Sequence, residues 1–182
     1  IAKISAIPHV AVIRIHTRIP VADPSRVTDD LIAALESEKA VYVVYHTNHA
    51  NELTDKVRDV ARRLVKAGMT LLSQSVLLRG VNDDAEVLEK LFRALVTMKV
   101  KPYYLHHPDM AKGTSHFRLT IEEGQKIFAG LRGRLSGIAL PKYILDIPGG
   151  YGKIDIAPAS LTKSGDAYQV TSYAGAKRAY KD

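Results

Sequence analysis

Short apolar runs rich in β-branched residues alternate along the chain with stretches whose apolar positions recur every three or four residues. The runs Val10–His16, Val41–Thr47, Met69–Leu78, Lys101–His107 and Lys142–Asp146 predict five strands. Thr28, with Asp29 and Asp30 behind it, predicts a helix whose inner face carries Leu31, Ile32 and Leu35. Thr54 caps the next, with Val57, Val60, Ala61, Leu64 and Val65 inward and Gly68 as its stop. Val87, Leu88, Leu91, Phe92 and Leu95 define a third helix. Thr120 and Glu123 form a capping box for a fourth, with Ile121, Ile127, Phe128 and Leu131.

Strand and helix alternating in this way specify βαβ units, hence a parallel sheet with right-handed crossovers. The strands read as apolar throughout, which predicts a sheet covered on both faces. A complete eight-stranded barrel takes about 250 residues, so the periodicity leaves an open sheet and part of a barrel as alternatives. Residues 154–182 read as short extended pieces around Tyr168–Tyr173 with a basic, weakly ordered end.

With 182 residues, 20.0 kDa and 46% hydrophobic content, one buried core is expected. No stretch approaches the roughly 18 apolar residues of a membrane span, and the start lacks signal-peptide character, so a soluble, cytoplasmic protein without membrane partners is expected. The absence of cysteine excludes disulfides and thiolate metal sites. The net charge of +7 suggests an anionic partner. However, the basic residues mix with acids along the helices (Lys56, Arg58, Asp59, Arg62, Arg63; Glu89, Lys90), which favours a solvated face over nucleic-acid binding.

Candidate chemistry gathers at Asp146-Ile147-Pro148-Gly149-Gly150-Tyr151-Gly152-Lys153. Glycine-rich backbone brings several N–H groups close to an anion such as phosphate. The nucleotide P-loop pattern is not met, because Ile147 stands where its first glycine belongs and Ile154 where its Ser/Thr belongs. A lysine beside such a turn, with a carboxylate across it, suits a Schiff base to a phosphate-bearing carbonyl cofactor; the alternative is an ordinary surface loop.

Ligands in parallel α/β folds bind at the carboxyl ends of the strands. There the sequence puts His46 and residues 48–52, then Gln74, then His106, His107 and Asp109, and finally Asp146 and Lys153. Gln74 interrupts an apolar run and needs a partner, either backbone or ligand. The histidines at 46, 49, 106, 107 and 116, with Asp109 and Asp146, leave open a metal-dependent hydrolase. Asp109 and Asp146 are equally suited to hold an ammonium group between two carboxylates.

In order along the chain, Asn48-His49-Ala50-Asn51-Glu52-Leu53, the stretch from Gln74 to Asp83, Pro102-Tyr103-Tyr104, the stretch from Gly113 to Arg118, Leu131-Arg132-Gly133 and the stretch from Asp146 to Lys153 resemble the lysine 2,3-aminomutase family of radical S-adenosylmethionine enzymes. The resemblance implies an isomerase that moves the α-amino group of an amino acid to the β-carbon, with L-lysine to β-lysine as the expected reaction. It implies pyridoxal phosphate on Lys153, with Gly149, Gly150 and Gly152 around the cofactor. It also implies Asp109 and Asp146 on the distal ammonium of a small-molecule amino-acid substrate, and His46 and Gln74 near S-adenosylmethionine.

The family's [4Fe-4S] cluster sits on three cysteines in a motif upstream of the resembling region, and this chain has none. Since the chain also starts at Ile1 rather than methionine, the expectation is a fragment of a longer enzyme, inactive alone: the later strands of an incomplete (βα)6 barrel over 1–153 and a C-terminal extension over 154–182. A homo-oligomer is expected. Asp84 stands at a position where some relatives carry a zinc-binding cysteine, so no zinc is expected, and His106 replaces a tyrosine. Beside this reading stand the hydrolase and a non-catalytic relic domain.

Overall fold

The five predicted strands form within two residues of their predicted ends, and the chain then adds four more. The computed structural model describes residues 1–181. Its helices are α1 (Ala2–Ser5), α2 (Ile19–Ala22), α3 (Asp29–Leu35), α4 (Asp55–Lys66), α5 (Ala85–Thr97) and α6 (Ile121–Ala129). Its strands are β1 (Val12–Thr17), β2 (Ala40–His46), β3 (Thr70–Val76), β4 (Val100–His106), β5 (Lys142–Asp146), β6 (Lys153–Asp155), β7 (Leu161–Ser164), β8 (Ala167–Thr171) and β9 (Lys177–Tyr180).

The fold is mixed α/β. One sheet of six strands runs β1-β2-β3-β4-β5-β6, parallel through β5, with β6 returning antiparallel to β5. The strand order follows the chain without reversal, so the sheet has no topological switch point of the doubly wound kind. A second, antiparallel sheet is built from β7, β8 and β9. Residues 161–180, expected to be weakly ordered at their end, thus form a meander: Gly165 and Gly175, both at positive φ, let the chain reverse between its strands.

Caps explain where several helices begin. Thr28 Oγ1 accepts from Leu31 N–H at 3.2 Å, and Thr120 and Glu123 close the reciprocal box at 3.1 and 2.7 Å. Asp84 caps α5 by accepting from the N–H groups of Glu86 and Val87. Thr54 has the extended backbone of a cap, yet its side chain makes no cap bond. Helix α4 rests instead on burial of Val57, Val60, Ala61 and Leu64.

The core lies on one face of the sheet. Ile13, Val41, Val43, Tyr45, Leu71, Leu105 and Tyr143 pack there against Leu64, Leu88, Leu91, Phe92, Leu95 and Phe128 from the helices. Expected burial on both faces forms only in part: on the second face Val44 and Ile144 are buried, whereas Arg14 and His16 are exposed. The alternate residues Arg14, His16, His46, Gln74 and Asp146 lie on the other face, so β1 alternates Ile13-Arg14-Ile15-His16 rather than running apolar throughout. Of the residues predicted to face inward, Leu31 and Ile121 are exposed.

A β-bulge breaks the register between β3 and β4: Ser73 pairs with Pro102, but Gln74 pairs with Tyr104. Pro102 cannot donate to the ladder, and a bulge is where a central strand tolerates such a residue. Tyr103 is the extra residue.

Candidate functional site

Parallel strands bring their carboxyl ends to one edge, and the register says which side chains stand in line there. His46 pairs with Gln74 and Gln74 with Tyr104, forming one row across three strands. The next row is Val76, His106 and Ile144. Asp146 ends β5 directly opposite Lys153 of β6.

The hairpin joining β5 to β6 is the centre of the site. Between Asp146 and Lys153, Gly149, Gly150 and Gly152 adopt positive φ, conformations that the turn requires and that side chains resist. Ile147 N–H closes the hairpin onto Gly152 C=O at 2.9 Å. Among the described residues no acceptor takes the N–H groups of Gly149, Gly150 or Tyr151. Lys153 Nζ donates to Asp146 Oδ1, and His106 Nδ1 lies 3.2 Å from Asp146 Oδ2. The bond from Lys153 is the main reason that the Asp146 carboxyl is held below the usual carboxylate range.

Asp109 follows β4 on the exposed loop. It lines, with Pro108, Met110, Leu145, Asp146 and Pro148, an open cleft of about 350 Å³. The two expected aspartates therefore share one cleft. Asp146 is already paired, whereas Asp109 joins no ion pair among the described residues.

Burial is the main cause lowering the pKa of both His46 and His106, and the Nε2 of each is buried without a hydrogen-bond partner among the described residues. Such orphans are costly unless something further satisfies them. Asn48, Asn82 and Glu52 instead build the loop scaffold. The amide of Asn82 takes Leu78 N–H at 2.7 Å and gives to Asn48 C=O and Val76 C=O at 2.8 and 2.9 Å. Glu52 accepts from the N–H groups of Asn48 and His49.

Two groups were missed in the sequence. The bulge lets consecutive Tyr103 and Tyr104 meet, rings 3.7 Å apart between centroids and hydroxyls hydrogen-bonded at 2.8 Å. That bond leads the influences raising the Tyr104 phenol above its ordinary range. Arg14 and His16 line the same face, with His16 in edge contact with His46 at 5.8 Å. Their alternation with Ile13 and Ile15 was the available signal. His107, predicted to share the rim, turns away to bond Tyr143 at 2.7 Å through Nδ1. Among the described residues no three His, Asp or Glu side chains gather to hold a metal ion, which disfavours the hydrolase reading. No described helix is long and apolar enough to cross a membrane.

The residues present fit a phosphate-bearing carbonyl cofactor such as pyridoxal phosphate: the glycine turn offers free N–H groups, space where side chains would stand at Gly150 and Gly152, and a lysine amine beside it. They do not fit an iron–sulfur cluster, for which the chain has no thiolate.

A family model described as lysine-2,3-aminomutase matches residues 128–182. The chain is 39% identical to an L-lysine 2,3-aminomutase of Clostridium subterminale over 183 aligned positions, covering 100% of this chain and 44% of that protein. It is 38% identical to a glutamate 2,3-aminomutase of Clostridioides difficile, covering 92% of this chain and 40% of the relative. The chain thus spans less than half the length of either. Its fold is similar to that of a radical SAM methyltransferase from Sphaerobacter thermophilus, with TM-score 0.50 and 20% identity over 72% of this chain and 40% of the other.

Proposed function

The chain belongs to the lysine 2,3-aminomutase family, and from that premise we propose that it carries the cofactor anchor and the substrate pocket of a radical amino-acid 2,3-aminomutase, an isomerase. The reaction moves an amino group from C2 to C3 while a hydrogen moves the other way, so it needs no net oxidant. The preferred substrate is L-lysine or another amino acid with a distal cation. In this reading β1 to β5 are an arc of an incomplete (βα)6 barrel; strand order without reversal and helices packed on one face support it.

The observation that carries the reading is the hairpin in which Asp146 and Lys153 oppose each other across three positive-φ glycines. Pyridoxal phosphate, when bound there, supplies a carbonyl that captures amines. Lys153 is its covalent anchor, and the N–H groups of Gly149, Gly150 and Tyr151 receive the phosphate. For capture, the Lys153 ammonium must give up its proton, and Asp146 Oδ1 holds that ammonium until then. Asp109 and Asp146, on one cleft, take the distal ammonium of the substrate. His46 and Gln74 are assigned to S-adenosylmethionine contact, supported by the orphaned His46 Nε2. No step is derived through an iron–sulfur cluster.

The test is borohydride trapping of pyridoxal phosphate, followed by peptide mapping of the full-length protein. The label is expected on Lys153 and absent from Lys153→Ala. A label that persists on another lysine in that variant overturns the assignment.

A further inference from the structure

His106 ends β4 at the centre of the site, 7% exposed, and its ring has two different ends. Nδ1 faces Asp146 Oδ2 at 3.2 Å, while Nε2 is buried with no partner among the described residues. With its proton on Nδ1, the imidazole donates to the carboxylate and leaves only an acceptor uncovered. With the proton on Nε2, a buried N–H would lack an acceptor and the Nδ1 lone pair would confront an anion. The first tautomer is strongly preferred.

Asp146 therefore has a basic neighbour at each oxygen: Lys153 Nζ hydrogen-bonded to Oδ1 and His106 Nδ1 3.2 Å from Oδ2. The two contacts differ in permanence. Lys153 sits on an exposed hairpin strand with its side chain 45% exposed and, on the proposed function, must release the carboxylate when it binds a carbonyl. His106 sits in a parallel strand with neighbours on both sides and has no such duty.

We propose that His106 is a positioning residue: its Nδ1–H fixes the orientation of the Asp146 carboxylate, so that Oδ1 stays aimed into the cleft after Lys153 leaves and can accept a distal substrate ammonium. Lys153 and the substrate cation then occupy the same oxygen in turn, and His106 keeps that oxygen in place between them. The other groups acting on the ring are Lys153, Asp109 and the edge of Tyr104 at 5.7 Å. His107 is engaged elsewhere with Tyr143. Burial, which leads the influences lowering the His106 pKa and so favours the neutral imidazole, agrees with this role.

Two measurements test it. Imidazole ¹⁵N spectra of the unaltered full-length protein, assigned by the signals lost in His106→Asn, are expected to show the neutral Nδ1–H form near neutral pH. In Asp146→Asn the His106 pKa is expected to fall further, since the carboxylate raises it. An Nε2–H tautomer, or a pKa that does not move in Asp146→Asn, overturns the proposal.

The second measurement rests on the proposed function. His106→Phe is expected to raise KM for lysine about tenfold or more, by the worth of a charge-assisted hydrogen bond, with kcat within about threefold. KM for norleucine, which lacks the distal cation, stays unchanged, and His106→Asn restores most of the lysine affinity. Equal losses for lysine and norleucine, or no rescue by Asn, overturn the positioning role. If the spectra behave as expected but Lys153 takes no pyridoxal label, the functional reading fails and the geometry of His106 stands.

Discussion

Tyr45 and His46 are neighbours in β2, yet they belong to different chemistries. Tyr45 points to the helices and is fully buried in the core. His46 points the other way, into a row with Gln74 and Tyr104. The same division runs through Leu105 and His106 in β4. One face of the sheet is closed by its own helices; the other is lined by polar groups, with the Nε2 atoms of His46 and His106 left without partners among the described residues. A strand's period of two thus separates the residues that hold the fold from those proposed to meet a ligand, without separating them in sequence.

The contrast makes predictions of graded size. On the closed face, Phe92→Ala removes a fully buried ring and is expected to cost about 3–5 kcal/mol in urea unfolding. Gly124→Ala comes next, because its Cβ would run into the Tyr143 hydroxyl that His107 also holds. An overpacking loss of about 1–3 kcal/mol is expected. On the open face, His46→Leu deletes a buried nitrogen that has no partner among the described residues, and stability is expected to stay within about 1 kcal/mol or to rise. A loss of more than about 2 kcal/mol there would break the division between the faces.

The smallest effect is one of pH. Burial lowers the pKa of His46, His106 and His107 in the folded chain, so below the ordinary histidine range the unfolded chain binds more protons. Melting temperature is expected to decline as pH falls through that range, and His46→Leu should flatten part of the slope. Asp146 behaves differently: its contribution is constant above the ordinary carboxylate range and fades only as pH drops through its lowered pKa. A melting temperature that stays flat as pH falls through the ordinary histidine range would contradict the first of these.

Much of this was legible from the residues. Apolar runs and caps located β1 to β5 and the starts of α3 and α6, and Thr120 with Glu123 formed the expected box. Asp146, Lys153 and the three glycines were readable as one turn, and the hairpin sets the two charged residues opposite each other. What escaped depends on pairing between distant segments. Nothing local in Lys153-Ile154-Asp155 says that it returns along β5; from residue 154 on the chain was read only as short extended pieces, with no partner strand. The tyrosine pair was hidden because two consecutive residues of a regular strand face opposite ways, and only a bulge set by the partner strand brings them together. The second face was only half legible: Val44 and Ile144 are buried there as the apolar runs of β2 and β5 suggest, whereas Arg14 and His16 of β1 are exposed.

The bulge at Tyr103 also bears on insertions and deletions. Upstream of it, Val100 to Pro102 pair in step with Leu71 to Ser73; downstream, Tyr104 to His106 pair in step with Gln74 to Val76. Tyr103 is the one residue of β4 left out of both runs. Losing it would straighten the strand and leave His106 pointing at Asp146, whereas losing Leu105 would turn its neighbours to the wrong side. For β4, Tyr103 is the one position where a single-residue deletion keeps the facing of the strand, at the cost of leaving Pro102 in a regular central strand without the bulge that accommodates it.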